Sequence, residues 1–223
     1  TFKKHILLLF GMGIRQPIIT FMGHIDHGKT SLQDYIRQSS IVKTEAGKIT
    51  QHIGSSNIQL NMIKKICGKL LDTLKLKLTI PGLLFIDSPG HAAFTSLRKR
   101  GGNLADIAII VIDINEGIMP QTLECIDILK QYKTPFIIAL NKIDLIAGWQ
   151  SKSTFLIQNI ASQSETIQKH LDTKLYELVG KLSELSLNSE RFDRIEDYAK
   201  QIAIVPTSAK TGEGIPELLM VLT

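Results

Sequence analysis

Residues 23–30 read GHIDHGKT: a glycine, four intervening residues, then Gly-Lys-Thr. An apolar run from Ile18 to Met22 leads into them, and SLQDYIRQ follows with helical spacing of Leu32, Tyr35 and Ile36. A G-x-x-x-x-G-K-[ST] segment between a strand and a helix is a phosphate-binding loop. Its backbone N–H groups and the helix N-terminus present positive potential to a polyphosphate. The expected contacts are Gly23, His24, Ile25, Asp26, His27, Gly28, Lys29, Thr30 and Ser31. Lys29 is expected to reach the β- and γ-phosphates, and Thr30 to ligate Mg²⁺ through its hydroxyl.

Three further segments carry complementary chemistry. In IDSPGH, 86–91, Asp87 ends an apolar run, where a carboxylate can hold magnesium directly or through water. Ser88 and Pro89 lead to Gly90, whose N–H can meet a γ-phosphate with no Cβ in the way. His91 follows; an imidazole there, neutral or protonated, can orient an attacking water, the bland alternative being a structural histidine. In NKID, 141–144, Asp144 is suited to accept from the ring N–H and exocyclic amine of guanine, a donor pair that adenine lacks. Asn141 is expected to steady that loop and approach the base's opposite edge, with Lys142 and Ile143 between them. Ser208, Ala209 and Lys210 would complete the base pocket with a backbone N–H directed at the guanine carbonyl. NKxD alone is a weak match. The four motifs in this order, each after a strand, read as a GTPase.

The elements that must position these residues are legible as continuous apolar runs. LLFID (83–87), IAIIVIDI (107–114), PFIIALN (135–141) and IAIV (202–205) have the β-branched character of parallel strands covered on both faces. Helical patterns lie between them, notably QTLECIDILKQY at 121–132. Alternating strand and helix predicts a three-layer α/β domain, its mostly parallel sheet flanked by helices and its ligand beyond the carboxyl ends of the strands. Residues 57–79 read as a short strand, a helix and another strand. Within 151–200, Ile167, Leu171, Leu175, Leu178, Leu182 and Leu185 form a helical apolar stripe, either packed on the domain's flank or offered to a partner. A final helix is predicted to begin at Ile215-Pro216, with proline in the first turn.

Composition bounds the reading. The chain has 223 residues, 43% apolar and 21% charged, which suits one large globular domain and sets it well apart from disordered chains. Its net charge of +5 is compatible with an ordinary soluble surface or with an RNA-rich partner. Cys67 and Cys125 are far apart in apolar, helix-like surroundings, so buried thiols are expected rather than a disulfide or a metal site, which favours the cytoplasm. TFKKHILLLFGMG, 1–13, has a basic start and a short apolar run, but no cleavage pattern follows, and the run is far short of the roughly 20 residues of a membrane span. It is read as an N-terminal extension that packs as a strand or helix or stays disordered.

The longer stretches RQPIITFMGHIDHGKTSLQDYIR, EAGKITQHIG, LTIPGLLFIDSPGHAAFTSLRKRGG, ADIAIIVIDINEGIMPQT and TPFIIALNKIDLIAGW narrow the class. Together they resemble the G domain of the archaeal and eukaryotic translation initiation factor 5B family. These are translational GTPases related to bacterial initiation factor two, and the archaeal form is the better match. The likeness runs from Arg15 to the C-terminus and implies a Ras-like G domain of the P-loop NTPase class over 14–223, with a helical excursion at about 151–200. EAGKITQHIG, 45–54, is a plain polar loop when read alone. The resemblance makes it switch I, with Gly47 in the loop and Thr50 closing on Mg²⁺ and the γ-phosphate. Residues 87–91 would begin switch II, with His91 positioning the hydrolytic water when the ribosome orders the site. Asp26 would attend a monovalent cation. Arg98, Lys99 and Arg100 would face ribosomal RNA or other factor domains, or form a solvated helix face.

The sequence departs from the family at Lys48, where glycine is usual, and at Ser88, where threonine is usual. Family members continue beyond the position of Thr223 into β-barrel and helical domains that bind initiator tRNA and span the ribosomal subunits. The resemblance thus implies a monomeric, cytoplasmic, Mg²⁺-dependent GTPase acting in ribosomal subunit joining and initiator tRNA positioning, with GTP and the ribosome as partners and no membrane. Two alternatives stand beside it: an elongation or tRNA-delivery factor, and a truncated GTP-binding regulator without productive hydrolysis.

Overall fold

The computed structural model of the chain describes residues 15–42, 55–68, 70–71, 80–86 and 105–223. The expectations for residues 1–13, for Gly47, Lys48 and Thr50, for Asp87, Ser88, Pro89, Gly90 and His91, and for Arg98, Lys99 and Arg100 lie outside the described residues, as does the second strand of the 57–79 segment. The strands are β1 (Ile18–Gly23), β2 (Ser55–Gln59), β3 (Gly82–Ile86), β4 (Ile107–Asp113), β5 (Phe136–Asn141), β6 (Ser189–Arg191) and β7 (Ile202–Pro206). The helices are α1 (Lys29–Val42), α2 (Leu60–Cys67), α3 (Pro120–Gln131), α4 (Leu156–Ala161), α5 (Glu165–Glu184) and α6 (Ile215–Val221), with a 3₁₀ turn at Ile143–Leu145.

The strands form one seven-stranded sheet in the order β2-β3-β1-β4-β5-β7-β6. Among the described residues only β2 runs antiparallel to its neighbour, β3; every other pairing there is parallel. Successive side chains of a strand point to opposite faces. In β4 every residue from Ala108 to Asp113 is buried, so both faces are covered, which is why the segment reads as an unbroken apolar run. Phe21 of β1 stacks on Phe85 of β3 with ring centroids 5.5 Å apart. Each such side chain contributes about 1.5–3 kcal/mol on burial, whereas an exposed pair such as Arg15–Asp106 is screened by solvent and adds little. The core therefore decides the fold.

The apolar stripe of α5 is consumed inside the chain: Leu171, Leu175, Leu178 and Leu182 are buried, and Ile167 and Leu185 pack at the margin of the same core. The buried face of α2 (Met62, Ile63, Ile66, Cys67) meets α6, where the Cys67 thiol donates to the Pro216 carbonyl at 3.3 Å. Cys67 and Cys125 are buried thiols on separate helices. The edge strand β6 has no signal in the sequence, because its three residues, Ser-Glu-Arg, carry no apolar run; among the described residues they pair only with β7.

The topology sets the site. Parallel order aligns the carboxyl ends of β1, β4, β5 and β7, and β4 alone separates β1 from β5. The loops after these strands therefore border one another along one edge of the sheet, where ligands of such folds bind.

Candidate functional site

The loop after β1 is strained and fixed. Gly23 ends the strand at φ +132°, and a Cβ there would lie 2.4 Å from the Val111 carbonyl oxygen of β4. Asp26 adopts φ +64°, in the left-handed region. The first intrahelical bond of α1 runs from Leu32 N–H to Gly28 C=O at 2.9 Å, which leaves the N–H groups of Lys29, Thr30 and Ser31 outside the helix's own bonding. These are donors suited to an anion. The Lys29 ammonium donates to the Gly23 and His24 carbonyls at 3.0 and 2.5 Å, so it lies within the loop it belongs to. Burial lowers its pKa from the ordinary lysine value, while Cys125 and Asp26 partly oppose that change. The Cys125 thiol is itself pushed up to about 11 by burial and stays protonated near neutral pH. Thr30 and Asp26 are exposed. No group of three or more His, Cys, Asp or Glu gathers among the described residues.

Two residues outside the motif hold this loop. His27 is fully buried, and its Nε2 pairs with Glu116 Oε2 at 2.9 Å. The Ile25 N–H donates to Gln121 Oε1 at 3.0 Å. Glu116 and Gln121 lie after β4 and at the start of α3, far from the loop in sequence, and no local pattern marks either as a partner.

The base-side loops join the phosphate loop through Asn141. Its amide is 1% exposed; Nδ2 donates to the His27 carbonyl at 2.9 Å, and Oδ1 accepts from Ala209 N–H at 3.0 Å. One side chain thus links GHIDHGKT, NKID and SAK. Both of its polar ends meet protein groups, so Asn141 ties the three loops together. Gly28 sits against the same amide: at φ +92°, a Cβ would fall 2.4 Å from Asn141 Nδ2.

Asp144 stands in the 3₁₀ turn, half-buried, and accepts from Ser208 Oγ at 2.6 Å. Ile143 is buried beneath it, with its N–H bonded to the Thr207 carbonyl at 3.2 Å. Lys142 turns through φ +67° and pairs with the buried Asp113 carboxylate at 2.7 Å, so its ammonium anchors NKID to the end of β4. Ala209 is partly exposed and Lys210 exposed. Asp113 closes β4, and no motif marks it as the partner of Lys142. The described parts of the expected site are therefore contiguous, with a donor-rich loop at one end and a carboxylate at the other.

Residues 15–223 match the family described as elongation factor Tu GTP binding domain. The chain is 57% identical over 211 residues to the probable translation initiation factor IF-2 of Methanopyrus kandleri, covering 94% of this chain and 35% of that relative. It is 58% identical, with the same coverage of both chains, to the protein of that name from Methanoculleus marisnigri. Among solved structures it is similar to GDP-bound aIF5B from Aeropyrum pernix, with a TM-score of 0.88 and 51% identity over 94% of this chain and 35% of that one. The chain thus spans about a third of the length of these relatives. By its sequence over residues 15–223 and by its mostly parallel sheet, the chain belongs to the elongation factor Tu GTP-binding domain family.

Proposed function

We propose that this chain binds and hydrolyses GTP and is the nucleotide switch of a translation initiation factor. The observation that carries the reading is the Asn141 amide, which joins the phosphate loop to both base-side loops. In this reading the N–H groups at the start of α1 and the Lys29 ammonium hold the β- and γ-phosphates, and Asp144 accepts from the guanine ring N–H and exocyclic amine. The Ala209 N–H already donates to Asn141, so the guanine carbonyl shares that donor or takes a neighbouring one.

Mg²⁺, when bound, neutralises charge between the phosphates. Thr30 would hold it, with Asp87 and Thr50 in the same role by resemblance; Asp26 would attend a monovalent cation. His91 is assigned to orient the attacking water, and Gly90 to contact the γ-phosphate. Loss of that phosphate would release the loops that hold Thr50 and Gly90, the usual logic of such a switch. The relatives' names support a role in initiation, and with it the ribosome as the partner that stimulates hydrolysis. Subunit joining and initiator tRNA positioning would belong to the whole factor, acting as a monomer in the cytoplasm. No helix among the described residues is long and apolar enough to cross a membrane.

The test is nucleotide titration of the chain and of Asp144→Asn. The parent is expected to prefer GDP and GTP over ADP and ATP, and the variant to lose that preference. A variant that keeps its guanine preference refutes the base assignment.

A further inference from the structure

Beside the base-side loops lies a buried carboxylate that the proposed reaction does not use. Glu213 is 1% exposed, in the turn between β7 and α6. Its Oε1 accepts from the Trp149 indole N–H at 3.0 Å and from the Asn159 amide; its Oε2 accepts from Ser151 Oγ at 2.7 Å and Thr211 Oγ1 at 2.6 Å. Its carbonyl accepts the Ser208 N–H at 2.9 Å, and the next N–H, of Gly214, reaches the Thr154 carbonyl at 3.1 Å.

Four neutral donors converge on this one carboxylate. One, Thr211, belongs to the base-side turn. The other three come from residues 149–159, the segment that follows NKID. The segment is itself closed by Asn159 Oδ1, which accepts from Lys152 N–H at 3.0 Å, and by the two-way bonds between Gln150 and Gln163. Within the turn, Thr211 N–H and Gly212 N–H bond back to Ser208. The path from Glu213 to the base carboxylate is therefore short, because Ser208 Oγ donates to Asp144.

We propose that Glu213 is the positioning residue that sets guanine selectivity, by clamping the 207–212 loop onto the 149–159 segment so that Ser208 and Ala209 meet Asp144 and Asn141. It touches no nucleotide. A carboxylate accepts stronger hydrogen bonds than a neutral group of the same shape, so one side chain serves here where several weak contacts would leave the loop loose. The inference rests on the guanine reading of the preceding section. It adds a determinant outside the SAK and NKID motifs. Trp149, the only tryptophan of the chain, bonds directly to the clamp and is a built-in reporter of it.

The experiment compares the parent with Glu213→Gln and, as control, Glu217→Gln, which alters a second buried carboxyl on α6 that bonds to Leu156 of the same 149–159 segment but not to the 207–212 loop. GDP and ADP affinities are measured by calorimetry, and Trp149 emission is recorded without nucleotide. Glutamine keeps the shape, and the two hydroxyl groups can turn to accept from its amide, so the fold survives the change. The expected result is a loss of GDP affinity of at least about tenfold with ADP affinity unchanged, a shifted Trp149 emission, and no change of affinity in the control. GDP and ADP affinities falling together, GDP affinity within twofold of the parent, or unaltered emission would each overturn the proposal. A parent that binds ADP as tightly as GDP refutes the guanine reading itself, and the clamp's assigned role goes with it.

Discussion

Glu217 provides a quantitative test of how this fold treats a buried charge. The side chain is fully buried on α6; Oε1 accepts the Leu156 N–H at 2.7 Å, while Oε2 has no hydrogen-bond partner among the described residues. Burial pushes its pKa up to about 7 from the ordinary 4.5, with the backbone donors of Leu156 and Ile157 opposing the change. The folded chain therefore holds this proton at pH values where the unfolded chain has lost it. Stability from Glu217 is complete below about pH 4.5, falls as pH rises, and is gone once the pH has passed the folded value near 7. The gap between the two values corresponds to about 3 kcal/mol. Glu217→Gln removes the titration: its carbonyl can keep the Leu156 bond, and its amide replaces a hydroxyl that has no partner either. Urea denaturation at pH 5, 6, 7 and 8 measures the difference between variant and parent. The variant should lead by only about 1 kcal/mol at pH 5 and by about 3 kcal/mol at pH 8. A difference that stays flat across this range would falsify the claim that burial governs the carboxyl.

Two further substitutions probe the joint between the loops. Gly28→Ala imposes a left-handed residue, costing about 1–2 kcal/mol, and drives a methyl against Asn141 Nδ2; calorimetry should show GDP affinity reduced at least about tenfold, and parental affinity would remove Gly28 from the joint. Asn141→Ala leaves the buried His27 carbonyl and Ala209 N–H without this partner, at about 1–3 kcal/mol each, so both the urea midpoint and GDP binding should fall; a change in binding with no change in stability would contradict the linking role.

The signals that survived into the structure are local ones. The phosphate loop was legible because its chemistry needs contiguous residues: a strand end, glycines for a turn, and a helix start. NKID and SAK were legible for the same reason, each lying just past an apolar run. The strands β1, β3, β4, β5 and β7 were legible because residues buried on both faces leave no polar alternation to misread. The partners of Lys142 and Asn141 were not legible, because Asp113, His27 and Ala209 lie far from NKID along the chain.

The sequence by itself determined the class of the fold, the order of the motifs and the identity of the groups expected to meet phosphate and guanine, since each is a property of a short run of neighbouring residues. Tertiary structure alone decided which distant residues hold those groups in place. His27 meets Glu116, Ile25 meets Gln121, Asn141 joins residues 114 positions before it and 68 after it, and Glu213 gathers Trp149, Ser151 and Asn159 from 54 to 64 positions away. A hydrogen bond needs closeness in space, and the parallel sheet, by aligning its strand ends, supplies that closeness between segments the chain keeps far apart.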